Sequence, residues 1–91
     1  MPHLYTLLPV EDHAALLNDL SDFFAKHFRV ITAKNGATGI EKAKLYFQDL
    51  IISDVMMAEM DGLEMCRKLT SIIMLSLNHC IFLYPKLADK K

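Results

Sequence analysis

The chain predicts an α/β protein: a mainly parallel sheet with helices on both faces. Three observations carry this. Short apolar or β-branched runs alternate with stretches of helical periodicity, in the order strand, helix, strand, helix, strand, helix, strand, which implies right-handed crossovers. The run Leu50–Asp54 is apolar but for Ser53 and closes on an acid, the pattern of a strand buried on both faces that delivers a carboxylate to its C-terminal tip. Glu11 and Asp12 end the first run in the same way, and ligands of such sheets sit at the carboxyl ends of the strands. If the first strand lies between the second and third, these acids converge. Ninety-one residues make one domain, 1–91, because a core of that size cannot be divided.

Each element has its own warrant. Leu4–Val10 reads as the first strand, with Pro9 awkward in it because proline removes a ladder donor and is usually confined to edges or bulges. From His13 to about Phe28, Leu16, Leu17, Leu20, Phe23, Phe24 and Phe28 recur at helical spacing, with Asn18, Asp19 and Lys26 opposite. Arg29–Ala33 is a β-branched strand closed by the turn signal Asn35-Gly36. Ala37, Ile40, Ala43, Lys44 and Phe47 share one face of a second helix, and the strand Leu50–Asp54 follows at once. After the loop Val55–Met60, Asp61 caps a third helix carrying Leu63, Cys66 and Leu69. Thr70-Ser71 punctuates it, and Ile72–Leu75 reads as a fourth strand ending in Ser76. Beyond Ser76 there is room for at most one more strand, Cys80–Tyr84, before Pro85 and a lysine-rich end.

Composition narrows the function classes. A net charge of -1 gives no broad field for nucleic acid or an anionic membrane, and there is no DNA-reading element or basic stripe, so any partner is recognised locally. Two cysteines, Cys66 and Cys80, make no C-x-x-C pair, which reads as a reduced cytoplasmic chain. A zinc site from His79, Cys80 and Cys66 lacks paired ligand spacing. No secretory signal is expected, and Ile72–Tyr84 is too short and too interrupted to span a membrane. The 53 % hydrophobic content, much of it beyond Ile72, points to surface that needs cover.

Three carboxylates at one sheet edge repel one another, and a divalent cation is the economical remedy; Mg2+ prefers a few carboxylate oxygens with water and phosphate oxygens. A carboxylate beside such an ion can attack a phosphoryl group. On this reading Asp54 is the nucleophile, Glu11 and Asp12 hold the ion, and the Ser76 hydroxyl at the next strand end bonds the new acyl phosphate. Taken alone, Glu11-Asp12 reads as a solvated turn capping the helix, Asp54 as a turn residue, and Ser76 as one of many strand-end serines. Asp54 in register with the acid pair favours the metal reading over the first of these. The methionines Met56, Met57, Met60 and Met65 read as packing and loop residues rather than ligands.

The segments LLPVEDH, ITAKNGATGIEKA and DLIISDVMMAEMDGLEMCRKL resemble the receiver domain of two-component response regulators, in the style found fused to hybrid sensor kinases, over about residues 7–76, with 77–91 a divergent tail. The resemblance implies a flavodoxin-like fold, here incomplete after the fourth strand. It implies that Glu11 and Asp12 bind Mg2+, that Asp54 accepts phosphate from a kinase histidine, that the Met56 backbone carbonyl completes the metal shell, and that Ser76 senses the phosphate. Its activity is that of a phosphoacceptor signalling domain rather than an enzyme, partnered by a histidine kinase or phosphotransfer protein. The sequence departs from the family at Pro9, usually apolar; at Ala58, usually proline; at Leu77, usually small; and in the short connection at Thr70-Ser71. The family's phosphate-pairing lysine has no counterpart, and Lys86 is not assigned that role. Two functions follow: a phosphoacceptor module of a phosphorelay, or a truncated receiver remnant that serves only in interaction or oligomerisation through an exposed strand edge.

Overall fold

In the computed structural model, which describes residues 5–73 and 79–83, four parallel strands form one sheet in the order β2-β1-β3-β4. The elements are β1 Thr6–Val10, α1 Ala14–Phe24, β2 Arg29–Val30, α2 Gly36–Tyr46, β3 Leu50–Asp54, α3 Gly62–Ile73 and β4 Cys80–Leu83. The first strand does lie between the second and third, pairing Leu7–Val10 with Leu50–Ser53.

Strand pleating sends alternate residues to opposite faces. Leu8, Val10 and Ile51 turn toward α2 and α3, where they are buried with Ala43, Met65, Cys66, Leu69 and Cys80. Leu7, Pro9 and Ile52 turn the other way, and Leu17 is the buried residue of α1. The stripe of α2 that packs inward is Gly36, Gly39 and Ala43, and Phe47 is exposed rather than sharing that face. Small residues are used there because α3 and the loop before it come close: a Cβ on Gly39 would meet Met65 Sδ at 2.8 Å, and one on Gly36 would meet Met60 Sδ at 2.8 Å. Phe47 instead takes a left-handed backbone (φ 49°) that ends the helix and swings it to solvent.

Pro9 sits in a central strand, not at an edge. The consequence falls on β2. Ile31 N–H bonds Leu7 O, Ala33 N–H bonds Pro9 O and Glu11 N–H bonds Ala33 O, so the N–H that proline lacks belongs opposite the Ile31 carbonyl. Regular pairing therefore stops after Val30 and resumes only as an isolated bridge between Val10 and Ala33, which shortens the expected strand Arg29–Ala33 to two residues.

The fourth strand differs most from expectation. Thr70-Ser71 does not end the third helix, Ile72 and Ile73 continue it, and the strand beside β3 is Cys80–Leu83. The connection is thus longer than Thr70-Ser71 suggested. An amphipathic helix carrying buried Met65, Cys66 and Leu69 gains by extending, and the apolar run after it was long enough to serve as helix end or strand. Ser76, Leu77 and Lys86 lie outside the described residues. No helix among the described residues is long and apolar enough to cross a membrane.

Candidate functional site

The sheet order sets the ends of β1 and β3 side by side. Carboxylate oxygens of Glu11, Asp12 and Asp54 all fall within 4.8 Å of one another. Their environments differ. Glu11 is 2 % exposed, Asp54 is half-buried and Asp12 is exposed. Burial of Glu11 excludes the solvated-turn reading for that residue, and the cap of α1 is His13, whose Nδ1 accepts from Leu16 N–H at 3.3 Å.

Glu11 Oε2 accepts from His13 N–H at 2.9 Å, while Oε1 is buried with no hydrogen-bond partner among the described residues. A buried carboxylate oxygen left unpaired is costly unless a cation or proton meets it. Burial holds the Glu11 carboxyl above its usual range; the His13 N–H opposes this, and the charges of Asp54 and Asp12 add to it. The donor set therefore fits a hard divalent ion: carboxylate oxygens, clustered, one of them unsatisfied.

The sign of the Glu11 shift yields a prediction. Its folded-state pKa is raised, so folding favours the protonated form. Metal-free protein should lose stability as pH rises from the usual carboxylate range through the raised value, with no further loss from this group above it. Glu11→Gln should flatten that slope and leave metal-free protein at least as stable as the parent at neutral pH. Thermal melts in EDTA across a pH series measure this, and an unchanged slope in the variant would place its origin in another group.

The loop after β3 is tied down at several of its residues. Ser53 Oγ, fully buried, donates to the Asp54 carbonyl at 2.9 Å. Val55 N–H donates to Leu83 O at 3.3 Å, and Val55 O accepts from Gly62 N–H at 3.0 Å, so β4 and α3 grip the residue beside Asp54 from two sides. Met56 N–H donates to Asp54 Oδ1 at 3.1 Å, which orients the carboxylate. Ala58 N–H donates to Asp12 Oδ2 at 3.2 Å. A proline at that position would have no such donor. Glu59 has φ 70° and Met60 N–H returns to Ala58 O at 2.7 Å, a three-residue γ-turn of the strained, positive-φ kind. Asp61 then caps α3 as expected, its Oδ1 accepting from Glu64 N–H at 2.7 Å.

Of the residues singled out in the sequence, Glu11, Asp12 and Asp54 are brought together, and Met56 stands at the same rim through its N–H. The strand that Ser76 was expected to end is replaced by Cys80–Leu83, whose last residue is registered opposite Asp54. Gly62 was legible as the start of a helix but not as a steric requirement; the signal was its place directly after Asp61, where α3 must begin against the Asp54 carbonyl.

The family model for the response regulator receiver domain matches residues 7–82. The chain is 38 % identical over 65 residues to hybrid signal transduction histidine kinase D of Dictyostelium discoideum, covering 71 % of this chain and 4 % of that protein. It is 38 % identical over 64 residues to the response regulator ArlR of Staphylococcus aureus, covering 69 % of this chain and 29 % of that protein. The chain thus spans under a third of either curated relative. A crystal structure of the Vibrio cholerae chemotaxis protein CheY4 superposes with a TM-score of 0.79 at 25 % identity, covering 86 % of this chain and 66 % of that one.

Proposed function

Because this chain belongs to the response regulator receiver domain family of two-component systems, we propose that it accepts a phosphoryl group on Asp54 from a histidine kinase or phosphotransfer protein, in a step that requires Mg2+ held by Glu11, Asp12, Asp54 and the Met56 carbonyl. The observation that carries the reading is the three-carboxylate cluster with a buried Glu11 oxygen that has no partner among the described residues, beside a loop held by several backbone hydrogen bonds. When bound, Mg2+ offsets the negative charge on both the carboxylate and the incoming phosphoryl group.

The chain's own residues do the rest. Asp54 stands at the carboxyl edge of β3, half-exposed, so a donor's phosphoryl group can reach it. An Asp54 carboxylate oxygen forms the new P–O bond as the bond to the donor imidazole breaks, and the imidazole nitrogen keeps the electron pair of that bond and takes up a proton from water. Met56 N–H holds Oδ1 throughout, and Gly62 N–H and Leu83 O hold Val55, so the backbone on which Asp54 sits does not swing away.

The test is incubation of the folded protein with Mg2+ and acetyl phosphate, followed by intact mass; one added phosphoryl group is expected. No adduct in a demonstrably folded sample would favour the reading of a remnant that serves only in interaction. A separate expectation concerns the ion. An ion bound only by the folded state must stabilise it, by about 2.7 kcal/mol at a concentration 100-fold above its dissociation constant. Mg2+ should therefore raise the melting temperature of the parent and much less that of Glu11→Gln. An equal rise in both would remove Glu11 from the metal shell.

A further inference from the structure

The chain's two cysteines are far apart in sequence and belong to different elements, yet both are buried in the core cluster between the sheet and α3. Cys66 is 0 % and Cys80 8 % exposed, and both are free thiols. Each thiol is the neighbour that most affects the other. The register explains the meeting: Cys80 pairs with Ile51, and so turns to the face on which Ile51 packs with Cys66. The same two elements grip the loop beside Asp54, since Gly62 of α3 donates to Val55 O and Leu83 of β4 accepts from Val55 N–H. Cys66 lies one turn along α3 from Gly62, and Cys80 lies at the start of the strand that Leu83 ends.

We propose that Cys66 and Cys80 are a redox site: a small-molecule disulfide of the glutathione class oxidises them to an intramolecular disulfide that pins β4 to α3 and so stiffens the loop following Asp54. One protein thiolate attacks a sulfur of the reagent, whose S–S bond breaks and releases one reduced thiol. The second protein thiolate then attacks the protein sulfur of the mixed disulfide, forming the Cys66–Cys80 bond and releasing the second thiol; the protein loses two electrons and two protons, and the reagent gains them. Each thiol's proximity acts on the other: Cys80 holds the Cys66 thiol up, with burial adding to it, and Cys66 draws Cys80 down against the effect of burial. Among the described residues β4 pairs on one side only, so its open edge is the approach to Cys80.

This inference goes beyond the phosphoacceptor reading and does not depend on it. The test uses the reduced full chain, folded, incubated with oxidised glutathione, then alkylated and digested. Expected are a mass lower by two hydrogens, a Cys66–Cys80 cross-linked peptide pair, reversal by dithiothreitol, and a melting temperature higher by roughly 10 °C. Amide exchange at Val55 and Gly62 should slow in the oxidised form, and Cys80→Ala should lose the cross-link and the melting shift. Were Cys80→Ala to unfold, the parent's cross-link and exchange data decide by themselves. A protein that stays fully alkylatable, that retains a glutathione adduct, or that forms the bond without slowing these amides overturns the proposal.

Discussion

Asp54→Asn is expected to abolish phosphoryl uptake from acetyl phosphate while leaving the fold intact. The amide oxygen can still accept from Met56 N–H, so the side chain keeps its place, and the backbone bonds of Val55 do not involve it. What is lost is the anionic nucleophile, and a neutral amide oxygen does not replace it. Removing the charge also relieves Glu11, whose carboxyl Asp54 helps to hold above the usual range, so metal-free Asp54→Asn should melt no lower than the parent. Intact mass after incubation with Mg2+ and acetyl phosphate reads the first effect, and calorimetry in EDTA reads the second. Uptake by the variant at the parental level would move the acceptor to another residue and end the case for Asp54.

Gly62→Ala should produce the largest loss of stability among single small substitutions at this site. Glycine to alanine within a helix ordinarily stabilises by about 0.5–1 kcal/mol. Here the added Cβ would run into the Asp54 carbonyl oxygen and lie 2.7 Å from Ser53 Oγ, with the Asp54 carbonyl carbon at 3.2 Å. None of these is the far end of a flexible chain. Overpacking costs about 1–3 kcal/mol, and contact with backbone places this site at the upper end, which outweighs the helix gain. Since ~1 kcal/mol moves the melting temperature by roughly 4–8 °C in a domain of this size, a drop of about 10 °C is expected. Space, not backbone conformation, makes the demand, because no glycine among the described residues has positive φ. A melting temperature within about 2 °C of the parent would show that α3 can shift at little cost, and with it the claimed rigidity of the Asp54 loop would fall.

Much of the fold was legible because it rests on local signals. The run ending in Asp54 matched β3 residue for residue, since an apolar strand bounded by turn chemistry carries its own limits. Asp61 capped α3 because a side-chain oxygen at that spacing satisfies a helix's free N–H groups wherever the helix sits. The fourth strand was misplaced because Ile72–Leu75 and Cys80–Leu83 are both short apolar runs, and periodicity alone does not say which pairs with β3. Phe47 was expected inward because its spacing fits the helix face, but that spacing presumes the helix continues, and it ends one residue earlier.

The sequence by itself determined which residues carry charge at strand ends: Glu11, Asp12 and Asp54 follow from covalent order and strand polarity. Only the tertiary structure decided that they meet, because convergence depends on β1 lying between β2 and β3, a matter of which hydrophobic faces are covered. It alone decided that Glu11 is buried, with one oxygen unpaired among the described residues, while its neighbour Asp12 is exposed, since the depth of a carboxylate is set by packing around it. And it alone brought Cys66 to Cys80, because strand register fixes which face a side chain takes, and register is settled by the pairing of whole strands.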